Sequence, residues 1–291
     1  MHERNIMQHT VTQQVFDEER ALYALQNAEV NGCTFAGPAD GESALKECRS
    51  VKVRNCRFSL RYPLWHAKDF LLVDSRMDES ARAPMWYTEL GTIRHSYVEA
   101  VKALRECDDT LIEDSSIKSP EFGWKCRGLK VRNSAIESEY LFFGSRDVEI
   151  TKLTMKGKYS FQYIENLTIE NSMLDTKDAF WHSKNITVTN TTLKGEYLAW
   201  FSDGLTLINC HIEGTQPFCY CKNLRLINCT MSGTDLAFEY SDVEADIKGE
   251  ILSVKNPRSG SIVADSIGEI VTEDSIMEST CRIECRAKQG E

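Results

Sequence analysis

Between residues 129 and 231 apolar residues return on a fixed beat. Pairs two apart recur every 19 residues: Leu129 and Val131, Val148 and Ile150, Leu167 and Ile169, Ile186 and Val188, Leu205 and Leu207, Leu224 and Leu226. A third apolar residue follows each pair: Ile136, Met155, Leu174, Leu193, Ile212 and Met231. Within a copy, apolar and polar residues alternate and β-branched types are common, which is the period of a strand with one buried face. Most copies then break at an asparagine followed by a small residue, as in Asn171-Ser172, Asn190-Thr191 and Asn209-Cys210. Such pairs suit a tight bend. Each copy therefore predicts short strands joined by tight turns.

Taking the small residue as an anchor extends the repeat to Cys33, Cys56, Ser75, Ser96, Ser115, Ser134, Leu153, Ser172, Thr191, Cys210 and Cys229. From Ser96 onward every step is 19 residues, and the earlier steps are 23, 19 and 21. A period near 20 marks a solenoid. The leucine-rich repeat shares that period but needs a helical stretch, and here Gly and Thr fall where a helix would run. The prediction is an all-β, single-stranded parallel β-helix of about 11 coils, with strands ~4.8 Å apart along a rod of roughly 50 Å. Open ends expose strand edges and call for caps. The pattern of Phe16 to Ala28, "FDEERALYALQNA", predicts a capping helix over 16–28. Residues 1–13 read as disordered, 14–273 as the solenoid and 274–291 as a polar tail.

The coil "L-x-I-x-N-C-x-[IM]" resembles the right-handed parallel β-helices of the pectin-lyase-like superfamily. More closely, "VFDEERALYALQNA", "FAGPADGESALKECR", "SPEFGWKCR" and "DLAFEYSDVEADIKG" resemble an uncharacterised bacterial family with that fold, over residues 14 to 273. The resemblance implies the fold and no activity. Polygalacturonase-like members carry N-x-D, D-D, G-H-G and R-x-K on successive coils. Here only Asp108-Asp109 matches, and no G-H-G occurs. The calcium cluster and arginine base of pectate-lyase-like members have no convincing counterpart.

All five tryptophans share one column, nine residues past the anchor: Lys46, Trp65, Trp86, Arg105, Trp124, Phe143, Gln162, Trp181, Trp200, Cys219 and Phe238. The preceding column, with Phe142, Phe161, Phe180 and Phe218, holds no charge and is expected inside. The following column holds His66, Tyr87, Tyr163, His182, Phe201 and Tyr220 and is expected outside. The tryptophan column itself reads two ways. Facing out, its rings with Arg105 form a stripe for a chain ligand, because indoles offer apolar faces to sugar C–H groups. Facing in, it is a core stack that must also accommodate Lys46 and Arg105.

Six past the anchor, Asp178 stands between Tyr159 and Tyr197 on neighbouring coils, with Glu196 one coil on and one position back. Two carboxylates so placed suit glycoside cleavage, which needs a separation of ~5–9.5 Å. His182, four residues along what reads as the same strand, is a candidate base. The candidate catalytic set is Asp178, Glu196 and His182. The candidate sugar-binding set is Trp65, Trp86, Arg105, Trp124, Tyr159, Tyr163, Trp181, Tyr197, Trp200 and Tyr220. If the chain is an enzyme, it is of glycoside hydrolase or polysaccharide lyase type. The bland reading of the polar residues is a solvated β-helix face.

Charge and cysteine content narrow this further. A net charge of −10 argues against nucleic acid and favours a neutral oligosaccharide over an acidic one. No apolar run of membrane length and no signal sequence appear, and the 11 cysteines read as reduced thiols of a cytoplasmic protein. Cys219-x-Cys221 and Cys281-x3-Cys285 lack the spacing of a zinc site, so neither metal nor cofactor is expected. The alternative function is a non-catalytic scaffold that docks a protein or a second copy of itself.

Overall fold

The computed structural model describes residues 9–286. It divides into two compact units, up to Glu139 and from Tyr140 onward. Each is a parallel β-solenoid.

In the first unit seven strands stack in register, beginning His9–Thr12, Gln26–Asn31, Arg49–Arg54, Lys68–Val73 and Glu89–Arg94. Leu111–Glu113 and the start of Lys130–Leu141 complete them. One inward column runs Val30, Val53, Leu72, Ile93, Ile112 and Val131, each at most 0% exposed. Beyond the bend a second column starts with Phe16, Phe35 and Phe58, whose rings stack at 5.3 and 4.6 Å. In the second unit eight strands stack, beginning Arg146–Lys158, Glu165–Glu170, Lys184–Thr189 and Asp203–Ile208. Leu224–Ser232, Asp242–Lys248, Ser259–Ala264 and Arg282–Cys285 follow. The described residues thus hold more rungs than the eleven anchors suggested, because the segments at both ends also coil.

The bend explains the repeat's consensus. The asparagine before the anchor takes a left-handed conformation, with φ of 52° at Asn171, 51° at Asn190 and 53° at Asn209. Asparagine tolerates that region better than most residues. Its amide then bonds along the stack: Asn190 Nδ2 donates to Asn171, Asn209 to Asn190 and Asn228 to Asn209. The anchor hydroxyl fills a second requirement. Ser96 Oγ accepts from the Ser75 amide and donates to the Arg94 carbonyl, and Ser115 repeats the arrangement one coil on. These buried groups would otherwise lack partners.

Two expectations about the ends are corrected. Residues 16–28 form no helix. Val15–Phe16 and Gln26–Asn31 are strands, and between them the amides of Arg20, Leu22 and Ala24 donate to Glu42, Ala44 and Lys46 of the next coil. The three- and four-residue spacing of apolar positions there comes from a solenoid turn, in which Arg20 and Ala24 have positive φ. His9–Thr12 is a paired strand, as is Arg282–Cys285, so neither segment is a free terminus. Residues 1–8 and 287–291 of the expected disordered start and polar tail lie outside the described residues. Among the described residues no helix is long and apolar enough to cross a membrane.

Candidate functional site

The aromatic columns lie in turns, not strands. Residues 177–182 form the turn between Met173–Thr176 and Lys184–Thr189. Every second residue there has positive φ: Asp178 51°, Phe180 62° and His182 55°, repeated one coil on at Tyr197, Ala199 and Phe201. Such conformations cost a non-glycine residue roughly 1–2 kcal/mol each. Neighbouring coils hold them in place. The Asp178 amide donates to Glu196, Phe180 to Ser160 and His182 to Trp200. The result places Phe161, Phe180 and Phe218 in the core and the next two columns outside.

The tryptophans lie in line within each unit, but not as free faces. Trp181 and Trp200 stack at 5.3 Å with planes 3° apart, and each indole N–H donates to a backbone carbonyl, of Tyr197 and Gln216. Gln162 imitates them, donating to the Asp178 carbonyl. In the first unit Trp65 and Trp86 stack at 5.4 Å, with N–H groups tied to Ala83 and Lys102. Arg105 is the next rung. Its guanidinium lies 5.0 Å from the Trp86 ring and 4.8 Å from Trp124. This cation–π sandwich accommodates a charge that a core column could not hold. All five indoles are half-buried. The column faces outward, yet the expectation that Trp65, Trp86, Trp124, Trp181 and Trp200 offer flat faces to a sugar is corrected. The stacked faces meet their neighbours, and solvent meets ring edges.

The next column is more exposed. Tyr163, His182, Phe201 and Tyr220 stack at 4.9, 4.9 and 4.7 Å, and Tyr240 continues at 5.9 Å. Tyr163 is 53% exposed and Phe201 43%. Tyr240 falls here because the last turn carries one extra residue, which sets Ser241 rather than Tyr240 against Cys221.

Asp178 is the unusual residue. It is only 8% exposed, and among the described residues its carboxylate has no hydrogen bond or ion pair. Burial pushes its pKa above the ordinary carboxylate value, Lys177 and Lys158 draw it back, and Glu196 raises it further. Tyr159 and Tyr197 hold the same column one coil to either side. Tyr159 stacks on Tyr140 at 4.9 Å, and Lys158 Nζ sits 4.6 Å from the Tyr159 ring centre. Glu196 is solvated and 4.0 Å from Lys177. Lys177 and Glu196 also line a shallow groove of about 440 Å³ that runs over Gly195 and Gly214. The structure thus brings Asp178, Glu196, Tyr159 and Tyr197 together. It sets His182 apart in the outer ring column, with Tyr163 and Phe201 on its faces and no bond to Asp178; the strand expected to join the two is a turn. Lys158 and Lys177, absent from the candidate set, share one column with Glu196 five past the anchor.

A raised folded-state pKa means the charged carboxylate destabilises the fold above that pKa, and the penalty vanishes below the unfolded value of ~3.9. Asp178→Asn is therefore expected to be more stable than the parent at neutral pH, by about 1 kcal/mol or ~2 °C in melting temperature. The difference should close in melts below about pH 4.

The family model described as "Protein of unknown function (DUF3737)" matches residues 9–284. This chain belongs to that family. The DUF3737 chain matches no curated protein. Among solved structures it is similar to a tailspike double mutant of E. coli bacteriophage HK620, at 10% identity and a TM-score of 0.47, over 84% of this chain and 60% of that one. It is also similar to the catalytic domain of a GH87 α-1,3-glucanase, at 7% identity and 0.37, over 96% and 64%. A third is the periplasmic alginate epimerase AlgG, at 10% and 0.33, over 89% and 75%. The chain spans less than two thirds of the first and second. None of these likenesses bears on activity.

Proposed function

We propose that the protein binds a neutral carbohydrate at the turn carrying Asp178. The observation behind this reading is a carboxyl held nine-tenths out of water with no donor from the described residues. A buried acceptor left unpaired costs about 1–3 kcal/mol, and a ligand hydroxyl offsets that cost. Lys158 and Lys177 stand close enough to act on the same carboxyl and offer donors. Tyr159 and Tyr197 add ring and phenol on either side. An acceptor, ammonium donors and aromatic walls together suit a ring of vicinal hydroxyls. The net charge of −10 supports a neutral ligand over a polyanion. Trp181 and Trp200 serve as a rigid wall, with Tyr163, His182 and Tyr220 at the rim.

Cleavage is the enzymatic form of this reading. Asp178, nearly buried, and Glu196, solvated, are two carboxyls in contrasting surroundings, as acid and partner must be. A neutral ligand favours hydrolysis over elimination, which needs a uronate. Nine of the eleven cysteines are buried and unbridged, which supports a reducing, cytoplasmic setting.

Calorimetric titration with a panel of neutral oligosaccharides tests the proposal. At least one should bind, and Asp178→Asn should weaken it tenfold or more while remaining folded. Equal affinity in the variant, or no binder, contradicts it. The exposed ladder from Tyr163 to Tyr240 supports a second reading, a docking surface for another copy. A dimer that dissociates in Phe201→Ser, without any sugar binding, would favour that reading.

A further inference from the structure

A groove in the first unit carries a cation that the protein leaves unpaired. The third copy of the repeat is two residues longer than those from Ser96 onward, and its surplus falls around Asp78–Ala83. Asp78 accepts from the Ser80 amide and caps a single 3-10 turn, Glu79–Ala81. The chain leaves that turn at Arg82 with φ 53° and ψ −75°. An L residue rarely adopts that conformation, and it persists only where the surroundings enforce it. In solenoids, insertions of this kind shape binding faces.

The insertion helps to wall a groove of about 560 Å³, within the size range of small-molecule sites. Its lining is mostly carbon: Tyr62, Trp65, Ala83, Trp86 and Val101, with Arg82 and Lys102 as the charged members. The indole N–H groups are spent on Ala83 and Lys102 carbonyls, so a ligand meets apolar surface there. Val101 is 46% exposed, which is unusual for a valine in a solenoid of buried apolar columns.

The charges around the groove are unevenly partnered. Lys102 Nζ lies 3.3 Å from Glu121, and Arg105 is sandwiched by indoles with Glu121 at 3.9 Å. Asp78 is occupied by Ser59 and Ser80. Arg82 is exposed and, among the described residues, its guanidinium has no hydrogen bond, ion pair or ring contact. Three cations against Glu121 make this a positive spot on a chain of net charge −10.

We propose that this groove binds a small carboxylate with a flat apolar body, the carboxylate on Arg82 and the body against Trp65, Trp86 and Val101. A guanidinium presents a planar fork that matches a carboxylate in two parallel hydrogen bonds. One free fork suits a monoanion, whereas a phosphate dianion would require more donors than the groove supplies. The site is separate from the Asp178 turn and does not depend on it.

The test uses the full chain, tryptophan fluorescence and calorimetry. The probes are 4-hydroxyphenylacetate, its neutral amide and phenyl phosphate. The carboxylate should bind and alter indole emission, with the amide and the phosphate each at least tenfold weaker. Arg82→Gln should lose at least tenfold in affinity for the carboxylate. Arg82→Gly relieves the backbone conformation while removing the charge, so it should lose the same affinity and melt no lower than the parent. Binding of the amide as tight as the acid, undiminished binding in both variants, or no carboxylate binding at millimolar concentration would overturn the proposal. Tighter binding of phenyl phosphate would overturn the choice of a carboxylate.

Discussion

Gly195→Ala is expected to destabilise the protein by at least about 3 kcal/mol, combining overpacking with a left-handed backbone. Gly195 has φ of 148°, and a Cβ there would lie 1.9 Å from the Thr176 carbonyl oxygen and 2.6 Å from its carbon. Those atoms are backbone of the adjacent coil and cannot rotate away. The Gly195 amide already donates to the Glu213 carbonyl at 2.8 Å, which pins the coil on its other side. Gly214 repeats the situation, its Cβ position 2.0 Å from the Gly195 oxygen. Gly233 is the control. It shares the column and has φ of 60°, but nothing stands within 4 Å of its Cβ position. Gly233→Ala should cost only about 1 kcal/mol, the backbone part alone. Urea melts of the two variants separate coil-to-coil contact from backbone preference. Similar losses in both would show that the coils are not packed as closely as described. Because Lys177 and Glu196 line the groove over Gly195, a shift there should also disturb the carbohydrate site.

The rungs were legible because stacking imposes identical demands on every coil. Leu167, Ile186 and Leu205 lie on one another in register, so they share a type. The bend was legible for the same reason, through its asparagines and small anchors. The turns were not. A strand alternates inside and outside, but a turn with positive φ at every second residue sends Phe180 inward and both Trp181 and His182 outward. No two-residue period describes that. The same geometry made Phe16–Ala28 resemble a helix. Asp178 stood out as a carboxylate between tyrosines, yet its burial depends on how the turn folds over Lys158 and Lys177. The spacing of Gly195, Gly214 and Gly233 was available as a signal of close coil contact. The surplus residues near Arg82 were visible too, but not the strain that leaves its guanidinium unpartnered.

The second large effect concerns whole coils. If 19 residues make one rung, removing 19 in register deletes a layer and joins equivalent positions. Deleting 203–221 brings Ser202 against Lys222, the residue that already pairs with Asp203 one coil on. The Ser202 carbonyl already accepts the Lys222 amide. Every retained residue keeps its inward or outward sense, and Asp178 with its neighbours is untouched. Removing about half a rung, 203–211, instead sets strand residues against turn residues through the rest of the stack. Each displaced Leu or Ile then exposes an apolar side chain worth roughly 1.5–3 kcal/mol, enough over several to exceed the stability of a typical domain. Circular-dichroism melts of these two deletions test the central claim most directly. The account predicts a cooperative all-β melt for the 19-residue deletion, within several degrees of the parent, and no cooperative melt for the nine-residue one. An unfolded 19-residue deletion, or two deletions that melt alike, would contradict it.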